Sequence, residues 1–556
     1  MPKAPKPNTP SPTWDTSLQL LSFLATTVSV ISFLFYYKSG DFFLYGDAVA
    51  HINIARRVFD SKTPGLLQLG TVWLPLPHLL MIPFLLSKQL WQQGVGGSIP
   101  SMAAYVFAVL GIFRLTRSAL SRSTEPDSPA QVAAWTAALI FAANPNLIYL
   151  QSTAMGETVY LAFFLWSVVY FVDHIRGDAK ALLKCGLCLA AACLTRYDGW
   201  LLAAVMSTTV VLRFLIRRRE TTPTRATVTK FVLIATAGPA LWLAYNGIVY
   251  RNPLEFANGP YSAKAIERRT QSDGNPGHPG SGNPIVAGMY FLKSAEDNVA
   301  QNVWMQRAWV LILTAVILAA FFSRRQPADA CSRTPAASPW SPLLFLLIPL
   351  PFYALSVAYG GVPIFVPSWW PYSHYNLRYG LQMLPAFSVA MASLVYIAIL
   401  AESWHRYLRL TCAVVPFVLA SASYVSVWEA TPVSLREAQI NMRTRTELQR
   451  ELALWLAKLP PGATLLMYVG DHVGALERAG IPLRQTINEG NHRVWQRPTD
   501  PAGLWERALA NPKQYADYVL AFEGDPVWQA VSNLHLPELV EIHVTGQARA
   551  ALYRAR

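Results

Sequence analysis

The sequence predicts an α-helical polytopic membrane protein that ends in a small α/β domain, and three observations carry that prediction. Hydrophobic residues make up 53% of the 556 and charged residues only 14%, a balance far from that of a soluble multidomain chain. Runs of roughly 15 to 20 mostly apolar residues, such as 18–37, 132–150, 158–172 and 342–358, have the length an α-helix needs to cross a hydrocarbon core. The formal charge of +14 is confined to the part that holds these runs, because residues 429–556 carry 14 Lys and Arg against 14 Asp and Glu. Basic residues in short loops between apolar runs are topology signals, which excludes nucleic acid as a partner.

Placing those basic clusters on the cytoplasmic side threads the chain. Residues 1–17 form a cytoplasmic tail, and Lys3 and Lys6 precede an apolar run with no small-residue cleavage site after it, so the first helix is retained as an anchor. Span 1 covers 18–37. The next apolar run, 72–86, is short and holds Pro75, Pro77 and Pro83, and counting it as a span would put the basic cluster at 114–122 outside. It is therefore expected as a helix lying in the outer interface. Ten further spans follow at 99–117, 131–150, 157–173, 181–195, 199–216, 228–249, 304–322, 342–359, 380–400 and 408–428. About eleven spans make 18–428 the membrane unit and leave 429–556 outside, as an extracytoplasmic domain. Segments 38–98, 151–157 with 196–198, 250–303 and 360–379 share that outer side, where polar residues interrupting apolar runs mark a site.

Two stretches read as linkers: the Gly/Pro-rich 272–284 as a mobile outer loop, and 323–339 as a cytoplasmic connection. Residues 462–556 alternate strand and helix patterns, from ATLLMYV into GDHVGALERAG, from YADYVLAF into DPVWQAV, and finally LVEIHV with RAALYR. GDHVG lacks the G-x-G-x-x-G spacing of a dinucleotide site and is expected only as a strand-to-helix turn. Cys185, Cys188, Cys193, Cys331 and Cys412 all lie outside the final domain, so no disulfide is expected there.

The first outer loop begins DFFLYGDAVAHINIARR. Gly46 is suited to start a short helix with Asp47 at or near its N-cap and His51 one turn later on the same face. A capping role alone accounts for Asp47, but its place at the membrane surface beside other polar outliers makes it a candidate for chemistry.

An outer-loop YGDA motif, a Pro-rich second interfacial helix and an acidic residue opening a later span, in that order, resemble the GT-C superfamily of lipid-phosphosugar glycosyltransferases. The branch is that of the dolichyl-phosphate-mannose protein mannosyltransferases, glycosyltransferase family 39, which includes bacterial aminoarabinose transferases. The resemblance covers residues 15–430. It implies a membrane glycosyltransferase that moves a sugar from a polyprenyl-phosphate donor to an acceptor on the extracytoplasmic side, in the plasma (inner) membrane and without a metal or other cofactor. Asp47 matches the family's first-loop acid, the general base, and Glu157 matches the acid that shapes the site. Arg196 and Arg378 fall where relatives place cations near the donor phosphate. One departure is Trp73-Leu74-Pro75, where relatives often carry an acidic–Lys–Pro triplet; the task of that Lys falls to His78, to Arg196, or to a different mode of donor binding.

The chemistry suits these residue types. A carboxylate that takes the acceptor's proton supplies about 10²–10⁴-fold, and fixed cations stabilise the phosphate leaving group, with Arg offering a planar fork that stays charged. His51, His78, His374, Trp73 and Tyr379 are further candidates for substrate contact. Asp47 with the three histidines has workable ligand spacing for a metal, a reading that the family resemblance disfavours. Two other readings remain from the sequence alone: a polytopic transporter or lipid-handling protein without transferase activity, and a family member kept as an inactive scaffold. Transporters tend to show matching halves, and none is apparent. The acceptor is left open as a protein, a lipid or a glycan.

Overall fold

The computed structural model describes residues 15–121, 128–216, 223–272, 277–322, 341–491 and 502–556. Most of the N-terminal tail 1–17, the linker 323–339 with Cys331, and residues 273–276 of the Gly/Pro-rich run lie outside the described residues. Among the described residues nine helices are long and apolar enough to cross a membrane, ten if one bent pair counts as a span. The first, Thr16–Ser39, starts where the Asp15 carboxylate accepts the Leu18 N–H at 3.0 Å and stops at Gly40, whose φ of 77° needs no side chain to avoid strain.

Two of the eleven expected spans take another form. Segment 131–150 is split into Ser128–Ala142 and Pro145–Gln151, inclined at 64°. The break has a local cause, because Asn144 leaves the helix to cap the next one, its Oδ1 accepting the Leu147 N–H at 3.0 Å, and Pro145 has no N–H to continue the first. Segment 181–195 is the helix Ala181–Cys193, whose 13 residues reach about 20 Å, short of a hydrocarbon core of roughly 30 Å.

The run at 72–86 contains one helix, Leu76–Leu85, and it lies against Gly46–Arg57 and Val95–Leu120 rather than forming a long span. Close approach to Val95–Leu120 is possible because Gly96 has no side chain: a β-carbon there would crowd Leu85 and the backbone of Phe84. The outer segment 250–303 is largely helical, with Glu255–Asn258, Ala263–Ser272 and Pro284–Val299. The described part of the Gly/Pro-rich run is tied down as well: Gly282 N–H donates to Ala358 O at 2.8 Å, and His278 Nε2 lies 2.9 Å from Glu267 Oε1.

After the last span, Arg406–Glu429, a left-handed residue at Thr431 (φ 70°) leads into the amphipathic helix Val433–Leu456. The α/β unit follows as expected. Its strands β1 Leu465–Met467, β2 Thr486–Ile487, β3 Tyr518–Phe522, β4 Glu538–Ile542 and β5 Ala550–Arg554 are ordered β2-β1-β3-β5-β4. β1 runs parallel to β2 and β3, and β5 is antiparallel to β3 and β4. GDHVG is indeed a turn, Gly470–His472, entering the helix Val473–Ala479. One face of the sheet, with Leu466, Val519 and Ala521, closes on Trp505 and Val527. The other, with Met467, Leu520 and Leu552, joins the core that runs on into the membrane helices, so apolar burial seats this unit on the rest of the protein.

Candidate functional site

A large cleft of about 2840 Å³ lies between the first interfacial helix, residues 250–268 with His278, residues 352–379, the helix Val433–Leu456 and the strand ends of the α/β unit. Asp47, Trp73, Arg378 and Tyr379 line it, together with Tyr45, Glu437 and Tyr375.

Arg378 is the centre of the arrangement. It sits in a 3-10 turn, Leu377–Met383, that opens the span continuing to Leu400. Gly380 lets this turn press on the backbone of Ser294 and Ala295, where a β-carbon would not fit. Three carboxylates surround the guanidinium. Nη2 donates to Asp47 Oδ2 at 2.6 Å, Nη1 to Glu437 Oε1 at 2.7 Å, and Nε to Glu157 Oε1 at 3.2 Å. Glu157 is shared with Arg196, whose Nη1 donates to the same oxygen at 2.9 Å while its Nη2 donates to the Tyr353 hydroxyl at 2.7 Å. Asp198 completes the group, 3.4 Å from Arg196 Nε. The ring of Tyr379 contacts both cations, at 4.9 Å from Arg196 and 5.1 Å from Arg378.

Asp47 stands in the first turn of Gly46–Arg57, where the helix dipole favours an acid. The N-cap itself is Tyr45, and the Asp47 carboxylate turns to Arg378 instead of capping the helix. Tyr45 donates its hydroxyl to Ser434 O at 2.8 Å and to Glu437 Oε1 at 3.2 Å, and burial pushes its phenol well above the ordinary range.

Four of the expected residues, Asp47, Glu157, Arg196 and Arg378, thus meet in one ion-paired group, with Tyr379 against it. They do not play equivalent parts. Glu157 and Arg196 do not line the cleft, and Glu157 is buried behind Arg378, so their geometry suits positioning rather than substrate contact. His51, His78 and Trp73 form a neighbouring cluster: His51 Nδ1 and His78 Nε2 share a hydrogen bond of 2.8 Å, and the Trp73 ring lies 5.0 Å from that of His51. Burial holds both imidazoles below their ordinary range and hence neutral at pH 7. His374 joins neither group. Its carbonyl accepts the Asn441 amide at 2.9 Å on a separate segment, and a common site with His51 and His78 is not formed. Among the described residues no three His, Cys, Asp or Glu side chains are arranged to hold a metal ion.

Sequence reasoning missed Tyr45, Asp198, Tyr353 and Glu437. Tyr45 stands inside the quoted YGDA motif, and Asp198 lies two residues after Arg196. Glu437 had a subtler signal, since it falls on the buried stripe of Val433–Leu456 that carries Leu435, Ala438 and Met442, and an acid on such a stripe needs a buried partner.

No protein-family model matches the sequence, and no curated protein sequence does. Solved structures do match. ArnT from Cupriavidus metallidurans in the apo state is 14% identical with a TM-score of 0.54, covering 97% of this chain and 99% of that one. The same protein bound to undecaprenyl phosphate is 12% identical with a TM-score of 0.52, covering 97% and 98%. An oligosaccharyltransferase from Archaeoglobus fulgidus in the apo form is 11% identical with a TM-score of 0.47, covering 91% of this chain and 69% of that one. Along nearly its whole length, membrane helices and terminal α/β unit together, this chain has the GT-C fold.

Proposed function

We propose that the chain is a membrane glycosyltransferase that transfers a sugar from a polyprenyl-phosphate donor to an acceptor hydroxyl, by inverting single displacement and without a cofactor. One observation carries this reading: a carboxylate, Asp47, and a cation, Arg378, stand side by side on the wall of a cleft large enough for a sugar and its acceptor. The likeness to a protein whose structure was solved with undecaprenyl phosphate supports the choice of donor. In this reading the acceptor oxygen bonds to the anomeric carbon while the bond from that carbon to the phosphate oxygen breaks, its electron pair passing to the phosphate. The acceptor's proton goes to Asp47. Arg378 stabilises the charge gathering on the phosphate, while Glu157 and Arg196, behind it, hold its orientation. The cleft opens on the extracytoplasmic side of the inner membrane, and the acceptor is a protein, a lipid or a glycan.

The test is Asp47→Asn, which preserves shape and removes proton acceptance. Turnover falls by about 10²-fold or more if Asp47 is the base. A correctly inserted Asn variant with near-normal transfer assigns the base to another residue.

A further inference from the structure

The three carboxylates on Arg378 are not equivalent. Glu157 and Glu437 are each 1% exposed, whereas Asp47 is 39% exposed. The two buried acids are held from further directions. Glu157 also binds Arg196, and Glu437 accepts the Leu377 N–H at 2.6 Å through its second oxygen. Among the described residues the Asp47 carboxylate has no hydrogen-bond partner but Arg378.

We propose that the donor phosphate takes the place of Asp47 on Nη2 of Arg378, and that Glu437 is the positioning residue that keeps the guanidinium fixed during this exchange. The proposal rests on the glycosyltransferase reading and adds an order of events to it. Breaking the contact to Glu157 or Glu437 would leave an uncompensated charge buried, which is costly, while the Asp47 contact opens onto solvent and costs little to give up. A phosphate oxygen fits the same edge of the guanidinium that a carboxylate oxygen does. While Asp47 is paired, its Oδ2 is occupied by the Arg378 N–H. Release by the phosphate frees that oxygen for the acceptor hydroxyl, so the base becomes available only when donor is present. Asp47 is therefore both the base and a competitor of the donor.

A consequence follows that a simple catalytic role does not share: removing the Asp47 charge strengthens binding of the lipid phosphate even as it lowers turnover. The full-length protein in nanodiscs is titrated with undecaprenyl phosphate, carrying no sugar, and binding is followed by tryptophan fluorescence, with thermal unfolding confirming that each variant is folded. Asp47→Asn binds about tenfold more tightly than the wild type, the scale of a partly exposed charge pair. In the Glu437→Gln background the same substitution gains less than about threefold, because the guanidinium no longer holds its place; a purely structural role for Glu437 would leave the gain unchanged. Equal or weaker binding by Asp47→Asn, with normal binding by the wild type, overturns the exchange and leaves the transferase reading standing. A full tenfold gain in the Glu437→Gln background removes Glu437 from the assignment. Saturable binding by neither the wild type nor Asp47→Asn overturns the exchange and the donor reading together.

Discussion

Glu477 links the α/β unit to the first interfacial helix through a buried carboxyl that is better off neutral. It lies on Val473–Ala479, fully buried, with Oε2 accepting the Asn53 amide at 2.9 Å, and Asn53 in turn accepts the Trp91 indole N–H at 3.0 Å. Oε1 has no partner. Burial pushes the carboxyl up from 4.5 to about 8, and the Asn53 hydrogen bond and the nearby Arg478 only partly oppose it. Ionising it in place therefore costs about 5 kcal/mol. A carboxyl raised on folding contributes stability that is fully present below its ordinary value of 4.5 and is lost as pH rises to about 8. Well below pH 8 the loss runs at about 1.4 kcal/mol per pH unit and it levels off near pH 8, so contact between this helix and Gly46–Arg57 weakens by about 2 kcal/mol between pH 6 and pH 8. Glu477→Gln keeps the shape and the acceptor for Asn53 and has nothing to ionise. Amide hydrogen exchange over 473–479, compared between the wild type and Glu477→Gln at each pH so that the chemical exchange rate cancels, reads the difference directly. Protection in the wild type falls relative to the variant as pH rises. Parallel protection from pH 6 to pH 8 would refute the assignment of a neutral buried carboxyl.

Arg378→Ala leaves Glu157 and Glu437 buried beside a missing cation, so thermal unfolding of the purified protein reports a loss of about 3–5 kcal/mol, and an unchanged midpoint argues against ionised partners. Gly380→Ala drives a methyl group into the backbone at Ser294 and Ala295 and shifts the turn that carries Arg378 and Tyr379. The overpacking costs about 1–3 kcal/mol and lowers transfer activity along with stability; a neutral outcome in both means the two segments separate freely. A reporter fused to the C-terminus and active only in the cytoplasm stays silent if residues 429–556 lie outside, and a strong signal reverses the orientation.

The long elements were legible because they obey one-dimensional rules. Apolar length marked nine spans that appear as long helices, and the alternation of strand and helix patterns after 462 marked the α/β unit. The departures trace to single residues. Asn144 and Pro145 break a span whose average hydropathy reads as continuous, because capping is a matter of two side chains rather than of composition. The ion-paired group was legible in part: Asp47 stood out as an acid opening a short helix in the first outer loop, and Glu157, Arg196 and Arg378 through the family resemblance. Glu437 did not, because its segment reads as part of a separate outer domain, whereas Val433–Leu456 packs against the turn that carries Arg378. Tyr353 sits in an apolar span, where a tyrosine is unremarked until its hydroxyl is seen on Arg196. His374 erred the other way, since proximity in an aromatic outer segment said nothing about which way that segment folds.

The central claim is that this chain moves sugar from a lipid phosphate. The most direct measurement incubates the purified protein with a panel of radiolabelled polyprenyl-phosphate sugars and membrane extract, and follows label from donor to acceptor. At least one donor is predicted to lose its sugar to an acceptor with the wild type, and to lose it about 10²-fold more slowly with Asp47→Asn. Retention of label on every donor, by a protein that is folded and saturably binds undecaprenyl phosphate, would contradict the account and leave a lipid-binding protein without transferase chemistry.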